Sequence, residues 1–399
     1  MKIVRIIARL NVGGPARHVV WLTKALQTEE FQTVLLTGTV PEGEEDMNYF
    51  AAQNGVAPIF IPEMSRELSI KDIVSLWKIF RRIWREKPDI IHTHTAKAGT
   101  IGRVAGFFYR WLAWKRVKLI HTYHGHVFHS YYGKRKTMIF LLIEKTLAKF
   151  TDKIIAISAQ QKAEINEQFG VGKSLQFEII PLGIDLAPFE KAEAKIHILR
   201  EEIGAGKEEI LVGFVGRLTE IKNIPLLLKA AKIYKQQKDS SFPKLKFIII
   251  GDGHLRESLE TEAAKLEIKD VVIFLGNRND SDIFYSGLDI VALTSLNEGT
   301  PLSLIEAMAN GKAVVSTAVG GVVDLLGEIA QEKEDFKICE RGISVASGDS
   351  DALFNSLIFL ANDDNLRKIL GVRGKEFVRR HYSQERLIKD ITNLYRNLN

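Results

Sequence analysis

Two glutamates with seven residues between them, Glu298 and Glu306, frame a segment suited to a ligand that carries both hydroxyls and phosphates. Carboxylates accept hydrogen bonds from hydroxyls, and the open N–H groups at a helix start take up a phosphate. The residues around the pair supply such a start. Ile290 to Leu293 reads as a buried strand, Gly299 and Pro301 break it, and Leu302 to Met308 continues with helical apolar spacing. Glu298 therefore falls at the carboxyl end of a strand, the edge where open parallel sheets bind ligands. Glu306 is expected about two turns into the helix. Pro301 has no N–H to give a phosphate, which leaves the amides near Leu302 and Ser303. Arg217 and Lys222 stand in a comparable place, after the apolar run Ile210 to Val215 and Gly216, in a loop ahead of a helix near Asn223. Two cations there can neutralise a diphosphate that gains charge as it departs. The plainer reading of all four is as solvated loop and helix charges, with Asn223 a helix cap.

Other residues invite a chemical reading. Gly13 and Gly14 follow the first apolar run and open a helix at Pro15, with Arg17 and His18 one turn in. Glycines there let backbone approach a phosphate or sugar closely, although the dinucleotide fingerprint Gly-x-Gly-x-x-Gly is absent. Six of the ten histidines crowd together: His92, His94, His121, His124, His126 and His129. A metal could use them, since His-x-His puts two rings on one strand face. No carboxylate or cysteine joins them locally, so hydrogen-bonded loop or crevice residues are the expectation and no metal site is assigned. Asp280-Ser281-Asp282 and Asp349-Ser350-Asp351 resemble metal-diphosphate motifs, but each precedes a helical pattern and is expected to cap it.

These residues need strands and helices to place them. Short apolar runs alternate with amphipathic stretches along the chain: Ile3 to Ala8, Thr33 to Thr37, Ile90 to His92, Val117 to His121 and Lys153 to Ile157. A second series runs through Glu209 to Val215, Leu245 to Ile250, Val271 to Leu275, Ile290 to Leu293 and Ala313 to Ser316. That alternation predicts parallel sheets covered by helices, in two doubly wound α/β domains joined near Pro181 to Pro188.

The motifs together resemble the retaining glycosyltransferases of the GT-B fold, the large Glu-x7-Glu family (glycosyltransferase family 4, group 1 type) that also contains sucrose synthase. They are Asn11 to Pro15, His121 to His126, Gly216-Arg217-Leu218 with Lys222-Asn223, Gly251-Asp252-Gly253, the two glutamates, and Gly311 with Gly320-Gly321. The resemblance implies two Rossmann-like domains facing a central cleft. Residues 1–184 would form the acceptor side, 185–382 would bind the nucleotide sugar, and a helix in 383–399 would return to the first domain. It implies catalytic roles for His124, Glu298, Arg217 and Lys222. His124 and Glu298 would meet the transferred sugar, Arg217 and Lys222 the diphosphate, and Glu306 the ribose. Asn277 and Arg278 would lie near the base, partly through backbone. Gly13, Gly14, Gly216, Gly251, Gly299, Leu302 and Ser303 would complete the donor site. The implied donor is a UDP-sugar, the acceptor a lipid-linked saccharide or glycan of bacterial cell-surface polysaccharide, and no metal cofactor is implied. A nucleotide-sugar epimerase of the same fold is the alternative, since fold alone does not fix function.

Composition bounds the rest. The 399 residues suffice for two full cores. One cysteine, Cys339, forbids an internal disulfide and suggests a reducing compartment. Charges break the first apolar run before it could act as a signal-peptide core, so a cytoplasmic protein is expected. Residues 1–184 carry 26 Lys and Arg against 16 Asp and Glu, a net +10 within a whole-chain +6. Nucleic acid is not indicated, because no helix-turn-helix, zinc-finger or RNA-binding signature occurs. An anionic membrane surface is the expected partner of the basic half. Residues 71–87 and 103–118 mix cations with Trp77, Phe80, Trp84, Phe107, Phe108, Tyr109, Trp111 and Trp114, either as helices with aromatic cores or as interfacial faces.

Overall fold

A computed structural model of the chain describes residues 1–11, 13–41, 46–64, 71–125, 134–190, 192–237 and 242–398. They form two compact units, Met1–Gly183 with Gln384–Asn399, and Ile184–Ser383. Each is doubly wound α/β, as the alternating pattern predicts.

The first unit holds strands β1 (Lys2–Arg9), β2 (Gln32–Gly38), β3 (Ile59–Phe60), β4 (Ile90–His94), β5 (Lys118–Thr122), β6 (Lys153–Ala156) and β7 (Phe177–Ile179). They lie in the order β3-β2-β1-β4-β5-β6-β7, parallel throughout. The helices between them are α1 (Gly14–Ala25), α2 (Asn48–Gln53), α3 (Lys71–Glu86), α4 (Ala96–Ala113), α5 (Lys134–Ala148) and α6 (Ala159–Lys162). One face of the sheet packs Val4, Ile6, Ile91 and Leu119 against Ile79 and Ile83 of α3 and Ile101 and Ala105 of α4. On the other face Ile3, Ile90 and Ile120 meet Leu387, Ile391 and Tyr395 of the chain's last helix, Gln384–Arg396. Parity explains the division, because alternate residues of a strand face opposite sides of its sheet.

The second unit begins with helix α7 (Ile196–Glu202) and continues β8 (Glu209–Val215), α8 (Ile224–Gln237), β9 (Lys244–Ile250), α9 (Arg256–Lys265), β10 (Val272–Gly276), α10 (Ser281–Gly287), β11 (Ile290–Leu293), α11 (Leu302–Ala309) and β12 (Ala313–Thr317). After α12 (Val322–Leu326) come β13 (Ile329–Glu332), β14 (Phe336–Cys339) and β15 (Gly342–Val345), then α13 (Ser350–Asn362) and α14 (Asp364–His381). The last helix of the chain is α15. Strand order is β10-β9-β8-β11-β12-β15-β14-β13, with β13 and β14 antiparallel to their neighbours. That hairpin edge was not expected from the sequence: β13 is exposed along its whole length and carries no apolar run to betray it.

Candidate active site

In the second unit, the loops after β8, β9, β10, β11 and β12 gather at one sheet edge. The amide of Gly216 donates to the Ile250 carbonyl, that of Leu218 to Asp252, and that of Gly251 to Gly276. Gly251 has φ +131°, and a Cβ there would stand 2.0 Å from the Gly216 carbonyl oxygen, so only glycine lets these two loops touch. The loop after β12 supports the one after β11 in the same way. The Gly321 amide donates to the Glu298 carbonyl, and a Cβ on Gly321 would fall 1.8 Å from the Gly299 oxygen.

Within this frame Lys222 and Glu298 form an ion pair, though 76 positions separate them. The Ser295 hydroxyl donates to the same Glu298 oxygen at 2.6 Å, while Thr294 ties to the Lys222 carbonyl at 2.8 Å and Thr317 to the Ser295 carbonyl at 2.6 Å. Asn223 adopts the left-handed conformation (φ 46°, ψ 47°) that lets the 3-10 turn Glu220–Lys222 pass directly into α8. Arg217 is exposed, and among the described residues nothing engages its guanidinium, which leaves it open to an anion. Helix α11 starts at Leu302 behind Pro301, so the first-turn amides of Leu302 and Ser303 have no carbonyl one turn behind them. Glu306 is the fifth residue of α11, just past one turn rather than about two.

Two expectations at this edge need correction. Arg278 lies beside exposed Asn277, but its guanidinium is clamped between Asp280, at 2.9 and 2.5 Å, and Glu202, at 2.6 Å. Those carboxylates push its pKa above the usual arginine value and take three of its five N–H donors, which leaves backbone as the freer contact for a ligand. Asp280 accordingly makes no side-chain cap to α10, and Asp282 pairs with Lys195. Asp349 does cap, accepting from the Ala352 amide.

In the first unit, Gly13 precedes α1, which begins at Gly14, one residue earlier than expected. His92, His94 and His121 are strand residues rather than loop residues, because β4 runs on to His94 and β5 to Thr122, whereas His124 lies just past β5. His92 and His94 share a face and their rings lie 4.2 Å apart. Tyr395 of α15 binds His92 Nδ1 at 2.6 Å, His92 Nε2 meets Thr122 at 2.7 Å, and Arg5 Nη2 donates to the Tyr395 hydroxyl at 3.2 Å. With Arg5 donating to the phenol oxygen, the phenol hydrogen is free to go to His92 Nδ1, in the tautomer whose Nε2 hydrogen goes to Thr122. His94 Nδ1 lies 2.9 Å from His124 Nε2. His121 points to the opposite face and bonds Thr93. Burial lowers all five histidines, His18, His92, His94, His121 and His124, with His124 brought down to about 3, so these imidazoles are neutral near pH 7. His126 and His129 lie outside the described residues.

Sequence reasoning did not single out Ser295, Tyr395 or Arg5. Arg5 carried a signal, a lone cation inside an apolar strand, which was read only as an interruption; it is fully buried.

The model for Glycosyl transferases group 1 matches residues 195–377, and that for Glycosyltransferase Family 4 matches residues 12–188. The chain belongs to this glycosyltransferase family. A UDP-Gal:alpha-D-GlcNAc-diphosphoundecaprenol alpha-1,3-galactosyltransferase of Escherichia coli is 28% identical to it over 347 residues, 84% of each protein. The capsular polysaccharide biosynthesis glycosyltransferase CapM of Staphylococcus aureus is 27% identical over 368 residues, 89% of this glycosyltransferase and 87% of CapM. Among solved structures, Anabaena Alr3699/HepE in complex with UDP shares the fold with a TM-score of 0.80 over the full length of both chains, at 20% identity. The sucrose-phosphate synthase of Thermosynechococcus elongatus gives 0.77 at 21% identity, over 100% of this glycosyltransferase and 99% of the synthase. The GT-B class expected from the motifs is therefore the fold this enzyme has.

Proposed function

We propose that this glycosyltransferase moves a sugar from UDP to a lipid-linked or glycan acceptor in cell-surface polysaccharide assembly, with retention of anomeric configuration. The observation that carries the reading is the seat of Lys222 against Glu298 and Ser295, at the carboxyl edge of β8 and β11. Open α/β sheets bind ligands at that edge. A nucleoside diphosphate needs cations where charge grows as the bond from the anomeric carbon to phosphate oxygen breaks, and Lys222 with exposed Arg217 supplies two. Glu298 accepts hydrogen bonds from hydroxyls of the transferred sugar, Glu306 from the ribose, and the first-turn amides of α11 meet a phosphate. His124, neutral, gives a hydrogen bond to a sugar hydroxyl without adding charge.

In the proposed reaction the acceptor oxygen bonds to the anomeric carbon on the face from which UDP leaves. The acceptor's proton passes to the departing phosphate oxygen, so no protein nucleophile is required. The two basic side chains take the part that a divalent ion plays elsewhere, and no metal cofactor is invoked. The UDP-galactose and diphosphoundecaprenol in the name of the Escherichia coli relative, and the UDP bound by the Anabaena structure, support the choice of nucleotide and acceptor class.

Peripheral docking on the inner face of a membrane belongs to the same proposal. Of the aromatics of α3 and α4, Tyr109 is buried in the core and Phe80 packs against it, but Trp77 is 56% exposed and Trp111 66%, as is Trp114 just past α4 at 94%, with Ile73, Trp84, Phe108 and Leu112 also exposed. Among the described residues no helix is long and apolar enough to cross a membrane. Aromatics beside Arg81, Arg85, Lys115 and Arg116 suit anionic headgroups. The test is incubation of the enzyme with UDP-sugars and an undecaprenyl-diphosphate saccharide in the presence of chelator. Elongated lipid with an α linkage is the expected product. A free epimerised nucleotide sugar, or a strict need for added Mg²⁺ or Mn²⁺, would contradict the proposal.

A further inference from the structure

One face of the first unit's sheet gathers imidazoles that leave four buried ring nitrogens unpaired among the described residues. His94 on β4 and His124 beyond β5 point to the side covered by α1, which contributes His18. Ring centroids lie 4.9 Å apart for His18 and His124, 5.7 Å for His18 and His94, and 5.2 Å for His94 and His124. Of the six ring nitrogens, only His94 Nδ1 and His124 Nε2 have a partner, each other. Both nitrogens of His18, with Nε2 of His94 and Nδ1 of His124, are buried without a hydrogen bond among the described residues. His18 is only 3% exposed and His94 is fully covered. Four such nitrogens are costly to desolvate and call for an occupant.

The chemistry of the group selects the occupant. Three imidazoles that converge with unpaired ring nitrogens offer lone pairs, and imidazole is the commonest protein ligand of a divalent transition metal. One nitrogen from each ring lies within 4.8 Å of the others. A tetrahedral ion with ligand bonds of about 2.0–2.1 Å spaces its ligands about 3.4 Å apart, so the rings need close by no more than roughly 1.4 Å. We propose that His18, His94 and His124 bind one divalent ion of the zinc class through three imidazole nitrogens, with the fourth position open to water. Arg5, buried on β1 opposite His92, brings a positive charge to this face, and among the described residues no carboxylate or thiolate joins the ligand set. Held there, the ion is an inhibitor. That consequence rests on the role proposed for His124, whose ring cannot serve both the ion and the sugar.

Metal-free full-length enzyme titrated with Co²⁺ tests the site, read by the visible absorption of tetrahedral cobalt and its loss when Zn²⁺ is added. One equivalent should bind. His18→Gln and His94→Gln should each weaken binding by at least the roughly 10-fold that even an outer-shell change costs. His254→Gln, at an exposed residue of the second unit paired with Glu220, should leave binding unchanged. Failure of the wild-type enzyme to bind stoichiometric cobalt overturns the site, whatever the variants do. Binding that survives both substitutions but is lost on His126→Gln or His129→Gln overturns it too. In a transfer assay, Zn²⁺ should inhibit and a chelator restore activity. If cobalt binds as described and Zn²⁺ leaves transfer unaltered, the site stands and the role of His124 at the sugar falls.

Discussion

Arg103 and Glu144 share an ion pair out of contact with water, and Tyr123, next to His124 in the chain, donates its hydroxyl to the same carboxylate. Removing one partner of such a pair strands the other, so Glu144→Ala should destabilise the first unit by about 3–5 kcal/mol. Urea unfolding followed by a first-unit tryptophan would read the loss, and a change under 1 kcal/mol would contradict it. The neutral histidines have their own pH signature. Their folded pKa values lie below the ordinary imidazole value, so their contribution to stability is complete above about pH 6.5, where the unfolded chain also stays neutral. It is lost as pH falls from there toward about 3, the folded value for His124. Each such histidine steepens the loss by up to about 1.4 kcal/mol per pH unit. Unfolding midpoints should therefore drop between pH 7 and pH 5, and a flat profile would be inconsistent with buried neutral imidazoles. At the sugar-nucleotide edge, Lys222→Ala and Arg217→Ala should each lower kcat/KM by about 2–4 kcal/mol of transition-state stabilisation. Near-normal turnover in both would remove them from the mechanism.

Elements were legible in the chain where they obey a period and obscure where they depend on a distant partner. The loop after β11 and the start of α11 could be read because an apolar run, a Gly-x-Pro break and a helical repeat follow one another within twenty residues. The clamp on Arg278 could not, since Glu202 comes from 76 positions away, nor could the bond from Tyr395 to His92, which spans 303. The return of helix α15 to the first unit is what the family resemblance implies, but the one phenol that reaches the histidines is not legible in the chain. Tyr395→Phe keeps the packing of α15 and removes the partner of both His92 and Arg5. It should cost about 1–3 kcal/mol, the penalty for leaving a buried polar group unmet, and should lower transfer by disturbing the strand that carries His94. Unchanged melting and activity would show that the bond is incidental. The aromatics of α3 and α4 illustrate a different limit: the pattern fits a core or an interface equally, and only the fold shows that Tyr109 goes to the core and Trp77 and Trp111 to the surface.

For the whole molecule, charge is segregated between the units, and the basic one carries the exposed tryptophans. Arg82 is partly spent on Glu86, whereas Arg81 lies over the Trp77 ring at 5.3 Å and Arg85 is exposed. Arg81→Glu with Arg85→Glu should thus weaken binding to phosphatidylglycerol vesicles by about 30-fold, from about 1 kcal/mol lost for each cation near an anionic surface. Nucleotide affinity should not change. Equal sedimentation with anionic and neutral vesicles at low salt would point instead to an acidic protein partner. The return of α15 to the first unit has a further consequence, one of timing. A ribosome releases the first 183 residues, then the entire second unit, and only then the helix that brings Leu387, Ile391 and Tyr395 to the first sheet. The unit that starts first therefore finishes last, with its core face bare while its neighbour folds, and nascent chains stalled before residue 384 should bind chaperones through that uncovered face.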